Sequence, residues 1–208
     1  MWSWLLDLRD LGTRFDSGWS GIMSLPRVIS LGEDRGREGR LRIEVPVEVE
    51  KLRYRPFAKE NIDIEAGGDV LVAGISGDSL ELNIDMHSIG ATEFGIKVCV
   101  SPDGEEQTII TFNSLQSLLS IDTRQSGPAD SPKDIEAAPF SLDQDERLRL
   151  RIFVDKSVVE VFANDRQALA RRIYPERTDS LGVRLFANGG SARVHALQSW
   201  HMSPSNPY

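Results

Sequence analysis

The stretch Leu148–Asn164, LRLRIFVDKSVVEVFAN, restricts the fold more than any other part of the chain. Leu148, Leu150, Ile152 and Val154 recur at every second position, which puts them on one face of an extended strand, with Arg147, Arg149 and Arg151 on the other. Asp155-Lys156-Ser157 supplies a tight turn. The β-branched and aromatic run Val158–Phe162 then returns with no polar alternation, as expected of a strand packed on both faces, and Asn164-Asp165 ends it. The segment is a hairpin in which one strand has a wet side and the other has none.

The same period recurs along the chain. Leu41, Ile43 and Val45 form a short ribbon, after which Pro46 and Pro56 restrict the next segment to an edge strand or extended linker. Leu80, Leu82, Ile84 and Met86 alternate with Glu81, Asn83, Asp85 and His87, a strand with one buried face. Phe94, Ile96, Val98 and Val100 follow, and Ser101-Pro102-Asp103-Gly104 turns the chain into Thr108–Phe112. Leu118–Thr123, Gln167–Tyr174, Leu181–Ala187 and Ala192–Trp200 complete the set, with Asn188-Gly189-Gly190 reading as a hairpin turn. Residues 124–139 carry Gly127, Pro128, Pro132 and Pro139 and read mostly as surface loop, and no stretch has helical periodicity beyond one short turn near 113–119. These signals predict an all-β, two-sheet antiparallel β-sandwich of the jelly-roll, concanavalin A lectin-like kind.

A chain of 208 residues can bury one large core of this type. Its formal net charge of −8 argues against nucleic acid and anionic membranes, both of which attract clustered Lys and Arg. The lone Cys99, between Val98 and Val100, forms no internal disulfide and reads as a small buried hydrophobe. His87, His195 and His201 have no metal-ligand spacing, and no cofactor or metal is expected; His87 continues the polar face of its strand and is expected to be exposed. Asp7 interrupts the run Trp2, Trp4, Leu5, Leu6, and no basic region precedes it, so a cytoplasmic location is the default expectation.

The wording of the hairpin carries a resemblance. RIFVDKSVVEVFAN, then RRIYP, LGVRLFANGG and LQSWHM, is similar to the C-terminal β-sandwich of glycoside hydrolase family 32, the β-fructosidases that include invertases, levanases and inulinases. GWSGIMSLPRVISL followed by GRLRIEVPVEVEKLR resembles the passage from that family's catalytic propeller into the sandwich, and the opening MWSWLLDLRD resembles a last propeller strand. The resemblance implies a propeller-exit segment and linker at 1–23 and a sandwich over 24–208. In the family, the chemistry belongs to the propeller: an aspartate nucleophile in a WMNDPNG-like motif, an aspartate in RDP and a glutamate in EC. This sequence has none of these motifs, and Arg9-Asp10 is followed by Leu11.

Catalytic residues are therefore expected to be none. The best-placed carboxylate pair, Asp155 and Glu160 across the hairpin, reads as a turn aspartate and a rim or cross-strand glutamate. By resemblance the chain is a non-catalytic module that supports a propeller or oligomerisation. Its partners are then a propeller catalytic domain or a second copy, met through Trp2, Trp4, Trp19, Ile22 and Met23. The alternative is a standalone module that binds a fructose-containing saccharide. Of the rings Trp2, Trp4, Trp19, Tyr54, Tyr174, Trp200 and Tyr208, the better sugar platforms are Tyr54 and Tyr174. Trp200 continues the alternation Ala192, Val194, Ala196, Gln198 and is expected in the core. Whether the chain is a piece of an enzyme, a separate subunit or an independent binding module stays open at this stage.

Overall fold

The computed structural model describes residues 1–34, 37–129 and 131–206; Tyr208 lies outside them. The chain opens with β1 (Trp4–Leu5), α1 (Leu11–Ser17) and β2 (Ile22–Met23), and β1 pairs with β2. A second two-stranded sheet, β3 (Val28–Asp34) with β4 (Arg37–Glu44), is followed by a 3-10 helix at Val47–Leu52. The sandwich strands come next: β5 (Arg53–Ile64), β6 (Gly68–Ser76), β7 (Ser79–Ile89), β8 (Glu93–Val100), β9 (Thr108–Asn113) and β10 (Leu118–Asp122). They end with β11 (Ile135–Pro139), β12 (Leu148–Asp155), β13 (Val158–Ala163), β14 (Gln167–Arg172), β15 (Gly182–Asn188) and β16 (Ser191–Met202).

Two six-stranded antiparallel sheets face each other, one in the order β14-β13-β12-β7-β16-β5 and the other β11-β10-β9-β8-β15-β6. We call the first the linker-side sheet, because Leu25, Ile43, Val45 and Val49, from the segment between β2 and β5 that we call the linker, pack on its outer face against Phe153 and Phe162, and the second the distal sheet. The architecture is the two-sheet sandwich that the alternation predicts. Its core forms where inward rows meet: Leu80, Leu82, Ile84 and Met86 lie opposite Val154, Ile152, Leu150 and Leu148 in register, all buried. Each such side chain contributes about 1.5–3 kcal/mol. Pro56 stands on β5, which is an edge strand, as its missing N–H requires. The expected boundary at residue 24 falls ahead of β3–β4, a hairpin that belongs to neither large sheet.

Every residue of β13 is buried. Val159, Val161 and Ala163 enter the central core, while Phe162 packs with Phe153, Val45 and Val49 in a second cluster on the outer face. The missing polar alternation of this strand thus has a cause: the linker covers the face that would otherwise meet water.

Three expectations change. Leu11–Ser17 is a helix, started by the Asp10 carboxylate accepting from the Thr13 N–H and ended by Gly18 in the left-handed region at φ 72°. At seven residues it is too short to show periodicity. Part of the expected loop at 124–139 is the edge strand β11, whose IEAAP sequence has neither alternation nor β-branched density. The Leu118–Thr123 hairpin partner and the opening hairpin stand as read. Finally, Asn188-Gly189-Gly190 is no hairpin turn: β15 belongs to the distal sheet and β16 to the linker-side sheet, so it is a crossover. Its glycines serve close packing, because a Cβ on Gly190 would lie 2.2 Å from the Gly90 carbonyl carbon.

Candidate functional site

The N-terminal segment is clamped to the sandwich by a polar lock. Arg9 donates to both oxygens of the Asp7 carboxylate (3.0 and 2.7 Å), and the Tyr174 hydroxyl donates to the same Asp7 at 2.8 Å. The guanidinium groups of Arg9 and Arg172 lie 4.6 and 4.7 Å from the Trp19 ring centroid and 5.0 and 5.3 Å from that of Tyr174. The Arg9 hydrogen bond, with those of Tyr174 and the backbone, holds the Asp7 carboxyl well below the usual range. Tyr174 is thereby occupied in fastening the N-terminus and offers no free ring to a sugar.

Beyond the lock the segment is apolar and uncovered. Trp2, Trp4, Leu6, Leu8 and Met23 are exposed, Trp19 partly so, and Ile22 is half-buried. Leu11 and Phe15, four apart on α1, share one helix face and are 77% and 87% exposed. A soluble chain rarely leaves so many large apolar side chains on one short segment.

Polar anchors hold the linker on the outer face of its sheet. Glu160, 3% exposed on β13, accepts from the Leu25 N–H at 2.5 Å and from Arg27 at 3.2 Å. Burial, against these hydrogen bonds, pushes its carboxyl above the ordinary glutamate value. Glu81, fully buried on β7, accepts from Arg53 at 2.6 and 2.8 Å and from Arg151 at 2.7 Å. The polar face of β7 is therefore closed at Glu81 by arginines from β5 and β12. Sequence alternation places Glu81 and Arg151 on the polar faces of their strands but does not reveal what covers them.

A cleft of about 840 Å³ lies between the linker and the β12–β13 turn and is lined by Ile22, Tyr54, Asp155, Glu160 and His201. Tyr54 is exposed there, its ring 5.5 Å from that of His201. The Asp155–Glu160 pair does open on this cleft. Both Glu160 oxygens, however, are engaged by the linker, which makes it a structural acceptor.

Trp200 is not a core residue. Opposite β7 the register slips between Val194 and Ala196, so that β16 carries one extra residue, His195. The inward set changes phase from Ala192 and Val194 to Leu197 and Ser199, and Trp200 emerges on the outer face opposite Glu81. Its ring lies 4.1 Å from the Arg53 guanidinium, half-covered. Trp200→Ala is accordingly expected to cost about 1–2 kcal/mol, the scale of a partly desolvated cation–π contact, well below that of a core tryptophan. Urea denaturation measures it; a loss above about 3 kcal/mol would return the ring to the core class.

The same bulge brings His195 against His87, ring centroids 4.7 Å apart and Nε2 to Nδ1 2.7 Å. His87 is thus half-buried rather than exposed, and burial together with its neighbour His195 lowers its pKa. No sequence signal pairs residues 108 apart through a bulge. Cys99 is buried, which pushes its thiol up to about 12. Among the described residues no group of three or more His, Cys, Asp or Glu side chains is arranged to hold a metal ion, and no helix is long and apolar enough to cross a membrane.

Residues 48–201 match the family described as glycosyl hydrolases family 32 C terminal. A levanase of Bacillus subtilis (strain 168) is 35% identical over 191 residues, which span 87% of this chain and 27% of that protein. A β-fructofuranosidase, insoluble isoenzyme 5, of Oryza sativa subsp. japonica is 26% identical over 246 residues, 97% of this chain and 45% of the relative. Among solved structures, fructan 1-exohydrolase IIa from Cichorium intybus superposes with a TM-score of 0.86 at 20% identity, covering 99% of this chain and 45% of that one. The chain thus spans less than half the length of these relatives, and the structural likeness establishes the fold.

Proposed function

The chain belongs to the glycosyl hydrolase family 32 C-terminal domain family, and on that premise we propose that it is the non-catalytic β-sandwich of a β-fructosidase, acting on sucrose or fructan only together with a catalytic propeller. The observation that carries this reading is the N-terminal surface: Trp2, Trp4, Leu11, Phe15 and Met23 exposed on a segment that Asp7, Arg9 and Tyr174 fix firmly to the sandwich. A rigid, locked apolar surface fits a partner that covers it permanently, since a flexible tail would not need the lock. The propeller motifs that would hydrolyse the glycosidic bond are not in this sequence, so the sandwich supplies support and shape, with the chemistry supplied by the partner.

Two measurements test the reading. The purified chain is expected to release no fructose from sucrose, levan or inulin; turnover that survives repurification and is lost in Glu160→Gln would overturn the non-catalytic assignment. Analytical ultracentrifugation is expected to show self-association in the absence of a propeller, because water disfavours the bare surface. The double variant Trp4→Ser, Phe15→Ser should shift the equilibrium to monomer at unchanged melting temperature. A wild-type chain that stays monomeric, with Trp2 and Trp4 freely quenched by iodide, would remove the argument for a covered face.

A further inference from the structure

The outer face of the distal sheet contains a trough that strand register defines. Ala137 on β11, Ser120 on β10, Thr111 on β9, Gly95 on β8 and Phe186 on β15 are successive cross-strand partners. Four small residues thus stand side by side, and Phe186 lines the end of the row. The rows on either side are taller and more polar. Asp122, Ile109, Lys97 and Arg184 make one rim, and Leu118, Asn113, Glu93 and Asn188 the other, each again in register. The space between them is about 500 Å³. With neighbouring strands about 4.8 Å apart, five strands make a trough about 19 Å long.

Its chemistry narrows the occupant. The charged side chains along it are balanced: Asp69, Glu93 and Asp122 against Lys97, Arg124 and Arg184. Lys97 pairs with Asp69 at 2.5 Å, Arg184 pairs with the same carboxylate, and Arg124 meets Asp122 at 2.7 Å. Glu93 accepts from Asn113 at 2.8 Å. A face without net charge has no attraction for a polyanion such as a nucleic acid or an acidic polysaccharide. Strands β8, β9, β10 and β15 are paired on both sides, so along most of the trough no free backbone edge is offered to a peptide, and β11 presents one only at its end. What remains is a row of small side chains, Thr111 and Ser120 hydroxyls among them, between rims rich in donors and acceptors.

We propose that this trough binds a neutral oligosaccharide, lying across the strands with its hydroxyls hydrogen-bonded to the two rims. The trough is on the distal sheet, whereas the linker packs on the outer face of the other sheet. It does not depend on the propeller reading, and the two fail separately.

The probes are neutral fructo-oligosaccharides of increasing length, with gluco-oligosaccharides for comparison, titrated into the isotopically labelled full chain by NMR. Millimolar ligand is expected to shift amide signals of Gly95, Thr111 and Ser120, and affinity should rise with chain length until the trough is filled. Ser120→Trp places a large ring in the floor and should weaken binding at least ~10-fold at unchanged melting temperature; Thr111→Trp is the second blocking variant if the first does not fold. Trp4→Ser, outside the trough, should bind as wild type. The proposal is overturned if no oligosaccharide shifts these signals, if the shifts fall elsewhere, for example around Tyr54 or His87, or if folded blocking variants bind unchanged.

Discussion

Replacing Glu81 by alanine is expected to destabilise the chain by about 3–5 kcal/mol, because it strands two arginines at a buried site. Glu81 is fully buried and holds Arg53 and Arg151 with hydrogen bonds of 2.6–2.8 Å. Without it the two guanidinium groups keep only the more exposed Glu50 carboxylate, 3.1 Å from Arg53 and 3.7 Å from Arg151, as a shared counter-charge, and their buried sides lose their acceptor. For a domain of this size the loss corresponds to a fall in melting temperature on the order of 10 °C. Removing all three charges together, as Glu81→Leu with Arg53→Met and Arg151→Met, should recover most of the loss, since an apolar replacement leaves no buried charge unpaired and frees only the exposed Glu50 to water. Guanidinium denaturation of the single and triple variants decides the matter; a single variant within 1 kcal/mol of wild type would mean the cluster behaves as a surface ion pair.

The second large effect is expected at Glu160. Glu160→Ala removes the acceptor for the Leu25 N–H and the counter-charge of Arg27, and should cost about 3 kcal/mol while loosening the linker from the outer face. Limited proteolysis is expected to cut between residues 22 and 48 faster than in wild type. Glu160→Gln tests the electrostatics alone. The folded carboxyl titrates above its unfolded value because burial disfavours its charge, so the unfolded chain ionises first as pH rises. Wild-type stability should therefore decline relative to the Gln variant as pH climbs from the ordinary glutamate value to the raised one, and stay level above it. A difference that is flat with pH, or grows in the other direction, would show that Arg27 outweighs the burial. Asp7 and Glu146, whose carboxyls titrate low, are present in both proteins and cancel in the comparison.

Much of this molecule is legible in one dimension. The inward rows of β7, β8 and β12 follow from simple alternation, because every second side chain of a strand faces the same way whatever lies beyond it. The fully buried β13 is equally visible as a run of Val and Phe without a polar phase, although the linker that covers it is not. Recognition of the family rests on the words of that same hairpin and its downstream neighbours.

The rest depends on contacts that alternation does not encode. A single extra residue, His195, shifts the phase of β16, sends Trp200 to the outer face and stacks two histidines whose codons are far apart. Asn188-Gly189-Gly190 has the composition of a hairpin turn, yet it joins different sheets, and only the close approach to Gly90 explains its second glycine. Tyr174 looks like a candidate sugar platform until Asp7, 167 residues away, takes its hydroxyl. The trough on the distal sheet is likewise assembled from one small residue on each of four strands. By itself the sequence determined the sandwich, its inward rows and the family, because these depend on local period and local wording. Tertiary structure alone decided which polar groups are buried and paired, which aromatic rings are free and where small residues line up, because register and layer packing set those outcomes across distances that no local pattern spans.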